Sequence, residues 1–200
     1  MVNGKLFSCV VAIVIGIAFG ASTATAQMTE VSKAFSSSYE AEAAGKYAEA
    51  YKIIDKVVGM SEDSYPLVMR LGYLKGLMQK YDDAARMYEI AVRIKPSAIE
   101  PLQYLQYQHL MKGDWTRLAE TARVGLRRDP FNYTCRTRLA YALYNLQRYS
   151  EAADEYGKVL EMYPLDIDVA VMNGWSQAFS AKRNEALKMY RWVIQVSPDN

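Results

Sequence analysis

The residue types on which catalysis and metal binding most often rest are scarce in this sequence. Its 200 residues include one histidine, His109, and two cysteines, Cys9 and Cys135. A Cys/His catalytic pair or a metal-ligand cluster has almost nothing to draw on. A glycine-rich phosphate loop is missing as well. Charge of one sign is not in excess: 24 Lys and Arg face 22 Asp and Glu, for a formal +2. One of those positives, Lys5, stands in the N-terminal leader, so the remainder is close to neutral. That balance gives no reason to expect nucleic acid as a partner. The carboxylate pairs Asp82-Asp83 and Asp166 with Asp168 fall where helices are expected to begin, and acidic residues there complement the helix dipole. His109 reads as a packed helical histidine. The sequence therefore points away from an enzyme, from a cofactor and from a metal site, and toward a protein whose work is binding.

The first 26 residues have the order of a secretory signal peptide. Met1 to Lys5 is weakly basic, and Leu6 to Gly20 is apolar and uncharged. Residues 21–26 are small and end in the A-x-A site Ala24-Thr25-Ala26. The apolar run of about 15 residues is short for a membrane span of ~20. The expectation is a signal peptide over residues 1–26 and a mature chain that begins at Gln27. That chain would be periplasmic or secreted, with no integral membrane span after cleavage. Leu6-Phe7-Ser8-Cys9 stands at the start of the apolar run instead of after it, so it does not serve as a lipoprotein box. Cys9 leaves with the leader. Cys135 is then the only thiol, no internal disulfide forms, and a buried structural role is its simplest reading. Asn132-Tyr133-Thr134 is a glycosylation sequon, which matters only in a eukaryotic host.

What the chain does have is a period. Prolines stand at Pro96, Pro130, Pro164 and Pro198, each 34 residues from the last. Tyr47, Tyr81, Trp115 and Tyr149 keep the same spacing, as do Ala50, Ala84, Ala152 and Ala186. The frame divides residues 31–200 into units 31–64, 65–98, 99–132, 133–166 and 167–200. Each unit reads as two helices joined by a turn. In the fourth, Leu139, Ala142, Leu143 and Leu146 recur at helical spacing, Gln147-Arg148 makes the turn, and a second helix runs from Tyr149 to a stop at Pro164. Small residues at the eighth place, Gly72, Ala140 and Gly174, let the paired helices approach closely.

This pattern resembles the tetratricopeptide repeat (TPR) family. The family has leucine seventh, a small residue eighth, an aromatic seventeenth, alanine twentieth, an aromatic twenty-fourth and proline thirty-second. The second unit follows it through Leu71, Gly72, Tyr81, Ala84, Tyr88, Ala91 and Pro96. The fourth follows it through Leu139, Ala140, Tyr149, Ala152, Tyr156 and Pro164. Departures are Ser37, Ser38 and Glu62 in the first unit, Leu118 in the third, and Asn173 and Arg183 in the fifth. The resemblance implies an all-α fold over residues 27–200: a right-handed superhelical solenoid of five helix-turn-helix units. It also implies a concave groove lined by the first helix of each unit.

The ninth place of the five units reads Tyr39, Tyr73, Tyr107, Tyr141 and Trp175. Two readings stand for these rings: a ladder along the groove, or core packing taken over from the eleventh place. In the first reading, Met69, Arg70, Tyr104, Arg138 and Met172 at places five and six join them. That surface suits an apolar peptide with some negative charge, and it also suits a polysaccharide stacking on rings. The expected function is a non-catalytic protein-protein interaction scaffold of the bacterial cell envelope, in pilus, secretion, outer-membrane assembly or exopolysaccharide machinery. The alternative is a glycan-binding module that uses the aromatic ladder. The last helix offers a second surface: Tyr190, Trp192 and Ile194 are expected to form a C-terminal edge covered by a partner or by a second copy in a homodimer.

Overall fold

The computed structural model describes residues 26–59 and 64–197. All of the expected signal peptide except Ala26 lies outside them. Among the described residues no helix is long and apolar enough to cross a membrane. The described residues form helices and the turns between them. In chain order these are α1 (26–43), α2 (Tyr47–Val58), α3 (Tyr65–Leu77), α4 (Tyr81–Ile94), α5 (Glu100–Lys112), α6 (Trp115–Arg128), α7 (Tyr133–Asn145), α8 (Tyr149–Met162), α9 (Ile167–Phe179) and α10 (Arg183–Val196). The 34-residue period is visible in the boundaries. The second helix of each repeat begins at Tyr47, Tyr81, Trp115, Tyr149 and Arg183.

The turn before each of those helices repeats as well. Its backbone turns left-handed at Gly45, Gln79, Gly113, Gln147 and Ala181, with φ of 73°, 58°, 72°, 60° and 63°. Glycine adopts that conformation without steric cost, whereas glutamine and alanine adopt it only under strain. Three of the five repeats therefore keep the turn without its favoured residue. At the other end of the repeat, side chains cap the first helices. Asn132 accepts from the Cys135 amide at 3.0 Å, and Asp166 from the Val169 amide at 3.1 Å.

The chain divides into two compact units, one up to Met78 and one from Gln79. In the first, α2 packs on α3, and the core holds Ala50, Ile54, Val57, Leu67, Leu71 and Leu74. In the second, α4 to α10 each pack on the next helix, and α5 also touches α7. Its central cluster joins Leu118 and Ala122 of α6, Leu139 and Leu143 of α7, Ala152, Tyr156 and Val159 of α8, and Val169 of α9. Small residues set the approach of these helices. A Cβ on Gly174 would lie 2.6 Å from the Tyr190 ring. Gln106 at the eighth place of the third repeat is large, and the compensation is across from it: a Cβ on Gly125 would collide with Cys135 Sγ and come within 3.3 Å of Gln106 Nε2. Leu118, which stands for the usual alanine, is fully buried in the central cluster.

Candidate functional site

All five ninth-place rings are exposed, from 36% for Tyr141 to 55% for Tyr39. Tyr39 and Tyr73 belong to the first unit, and Tyr107, Tyr141 and Trp175 to the second. None of them is core. Their surroundings differ between the units.

In the first unit Arg70, on α3, is buried to 6% exposure. Its guanidinium forms an ion pair with Glu42 of α1 and donates to Ser38 Oγ at 3.0 and 3.2 Å. Tyr73 donates its hydroxyl to the other oxygen of Glu42 at 3.0 Å. The Arg70 guanidinium also lies over the Tyr39 ring, 4.0 Å from its centroid, and 5.6 Å from that of Tyr73. A buried cation needs a carboxylate and hydrogen bonds to offset its desolvation, and Arg70 has both. Arg70 is thus held inside the fold by the chain's own carboxylate, and the sequence expectation of a groove cation does not describe it. Met69 beside it is half-buried.

In the second unit the same places produce an open arrangement. Arg138 of α7 is half-buried. One of its nitrogens donates to the Gln103 carbonyl and lies 3.4 Å from Gln106 Oε1. Among the described residues its other two nitrogens have no hydrogen-bond partner, and no carboxylate forms an ion pair with it. Burial pulls the guanidinium below the ordinary arginine value, yet an arginine remains protonated at neutral pH. Arg138 lines two clefts. The larger, about 610 Å³, is walled by Leu110, Trp115, Tyr141, Val169 and Met172 around Arg138, and Asp168 also lines it. Its floor includes Tyr156, whose ring is buried in the central cluster. The smaller, about 410 Å³, lies among Glu100, Gln103, Tyr104, Tyr107, Thr134 and Arg138. Ring contacts hold the walls in place. Tyr104 stacks on the buried Tyr88 at 5.2 Å between centroids, and Trp115 meets Tyr141 edge-on at 5.6 Å. At the rim Tyr133 donates to Asp166 at 2.7 Å, and burial together with that bond pushes its phenol up to about 12.

Trp175 continues the ring series on α9. It stacks on Phe179, and Phe179 stacks on Tyr149, at 6.1 and 5.1 Å between centroids. Both Trp175 and Phe179 are exposed. Sequence reading missed Phe179, although its position one helical turn after Trp175 places it on the same face.

The C-terminal helix separates the residues that the sequence grouped together. Tyr190 turns inward onto Gly174. Trp192 is half-buried in a cleft of about 420 Å³ with Leu160, Pro164 and Met189. Ile194 and Leu187 are exposed.

The titratable residues are arranged for packing. His109 is 4% exposed, and burial lowers its pKa. Cys135 is a buried thiol whose pKa burial raises, and Gln106 Nε2 lies 3.3 Å from its sulfur. The sequon residue Asn132 is occupied as a helix cap and by bonds to Gln103 and Asp129.

Residues 135–166 match the family model of the tetratricopeptide repeat. The fold of the chain is that of solved repeat proteins of this class. YrrB, described as a TPR protein with an unusual peptide-binding site, superposes with a TM-score of 0.71 at 17% identity, over 84% of this chain and 86% of its own. A structure of MamA superposes at 0.76 and 14% identity, over 84% and 92%. A tetratricopeptide repeat protein from Parabacteroides merdae does so at 0.77 and 15%, over 86% and 68%. No curated protein sequence matches the chain. Residues 135–166 are a tetratricopeptide repeat, and the chain is an all-α helical-repeat protein of that fold.

Proposed function

We propose that this protein is a non-catalytic interaction scaffold that holds a peptide segment of a partner protein on the face formed by α5, α7 and α9. The observation that carries the reading is Arg138: a half-buried guanidinium without a carboxylate partner, set between two clefts walled by Tyr104, Tyr107, Tyr141 and Met172. Exposed rings that pack edge-on or stacked against each other keep their shape without a ligand, and preorganisation of this kind favours binding. The leader grammar of residues 1–26 supports export, and with it a role in an envelope assembly such as pilus, secretion, outer-membrane or exopolysaccharide machinery.

The test is recovery of bound protein from envelope extract by the mature chain, with Tyr107→Ala as the comparison. A central ring of this kind contributes about 1 kcal/mol or more to binding, so recovery falls while the melting temperature holds. Unchanged recovery with a folded variant refutes the reading. A polysaccharide is the second reading, favoured by the parallel exposed rings of Trp175 and Phe179. Oligosaccharide binding that Trp175→Ala removes and Tyr107→Ala leaves intact would establish it.

A further inference from the structure

The first unit contains a filled version of the site that stands open in the second. Arg70 and Arg138 occupy the sixth place of their repeats. Each donates toward the eighth-place side chain of the preceding repeat, Ser38 for Arg70 and Gln106 for Arg138. Each has ninth-place tyrosines close by: Tyr39 and Tyr73 in one case, Tyr107 and Tyr141 in the other. One position breaks the parallel. The twelfth place of the preceding repeat is Glu42 in the first unit and Leu110 in the second. Glu42 supplies the carboxylate that Arg70 and the Tyr73 hydroxyl hold. Leu110 supplies none, and among the described residues the Tyr141 hydroxyl has no hydrogen-bond partner either.

Resting on the peptide-binding reading, we propose that the bound segment gives Arg138 and Tyr141 a side-chain carboxylate in the role that Glu42 plays toward Arg70 and Tyr73. The two clefts that Arg138 lines fix what accompanies the acid. A chain that fills both passes across Arg138 instead of ending there. In an extended strand, side chains on one face recur every second residue, about 7 Å apart. The ligand is therefore an internal segment with an aspartate or glutamate flanked two residues away by bulky apolar side chains. One of these seats against Leu110, Trp115 and Met172 in the larger cleft. A guanidinium with its remaining donors open, together with a phenol donor, recognises such a carboxylate through charge-assisted hydrogen bonds. Neutral glutamine satisfies those donors less well.

The experiment is an array of heptapeptides blocked at both ends. Glutamate stands at the centre, and Phe, Tyr, Trp, Leu, Ile or Met stands two residues to either side. Each peptide has a glutamine twin, and a further set ends in a free carboxylate at the glutamate. The mature protein is expected to bind a subset of the glutamate peptides at least tenfold more tightly than their twins. Tyr141→Phe narrows that preference several-fold. Leu110→Glu, which puts an intramolecular carboxylate where the first unit has one, removes it, with circular dichroism confirming that both variants are folded. Equal binding of the twins overturns the inference and leaves the scaffold reading standing. Tightest binding by the free-carboxylate set overturns it in favour of a chain terminus, and an unchanged preference in Leu110→Glu overturns it as well. If no peptide binds, the inference falls; the scaffold reading falls with it only if partner recovery is also insensitive to Tyr107→Ala.

Discussion

Arg70 and Arg138 are the same residue at the same place of a repeat, and the fold uses them in opposite ways. Arg70 is buried against Glu42, Ser38 and Tyr39, and its charge is satisfied inside the chain. Arg138 is half-buried, bonded among the described residues to the Gln103 carbonyl and the Gln106 amide, and it lines two clefts. The difference at the twelfth place, Glu42 against Leu110, gives one arginine a carboxylate and leaves the other without it. In a repeat protein the period fixes where a side chain stands, but the residue one repeat earlier decides what that side chain is free to do.

The sharpest way to break the comparison is Glu42→Leu. It leaves Arg70 buried without its carboxylate, and loss of one partner of a buried pair costs about 3–5 kcal/mol. Because Glu42 is the more exposed partner, the lower end is expected, read as a fall in the urea midpoint. Gly125→Val should cost about 1–3 kcal/mol by overpacking, since its side chain runs into Cys135 and Gln106. It should also disturb Arg138 through Gln106, and so weaken binding in the second unit alone.

His109 gives the second unit a pH dependence. Burial lowers its pKa below the ordinary value near 6.5, so the unfolded chain takes up the proton more readily. Its contribution to stability is fully present above pH 6.5 and is lost as pH falls below that value. Asp114 and Glu89 oppose this shift, while Arg117 and Lys112 add to it. His109→Gln should flatten the decline in stability between pH 7 and 5, followed by thermal melts across that range. The smallest effect is expected at the strained turns. Ala181→Gly relieves a left-handed φ of 63°, a strain of about 1–2 kcal/mol. It gives back about 0.5–1 kcal/mol in backbone entropy, so a gain below ~1 kcal/mol should appear in the melting temperature.

Much of the fold is legible in the sequence because a 34-residue period acts on many residue classes at once. The prolines, the twentieth-place alanines and the seventeenth-place aromatics locate helix ends and contacts together. The left-handed turn at the fifteenth place is not legible, because Gln79, Gln147 and Ala181 lack the glycine that announces it. The rings are legible as a series at the ninth place, but their exposure is not, since a ring at helical spacing fits core and surface equally. The fate of Arg70 is hidden for another reason. The ion pair joins residues 28 positions apart and occurs once, so no periodicity marks it. A comparison of places six and twelve across neighbouring repeats exposes it. Trp192 shows the limit of counting apolar residues on the last helix. Its ring lies in a cleft with Leu160 and Pro164, while Leu187 and Ile194 face solvent.

The fold needs Arg70 and does not need Arg138. Urea unfolding of Arg70→Gln beside Arg138→Gln, followed by circular dichroism, tests it without knowledge of the partner. Arg70→Gln is expected to lose at least about 2 kcal/mol, because Glu42 is left without its cation. Arg138→Gln should lose less than about 1 kcal/mol, as expected for a group whose only bonds are to neutral acceptors. Equal losses in the two variants, or a larger loss for Arg138→Gln, would mean that Arg138 is structural and not held open for a ligand.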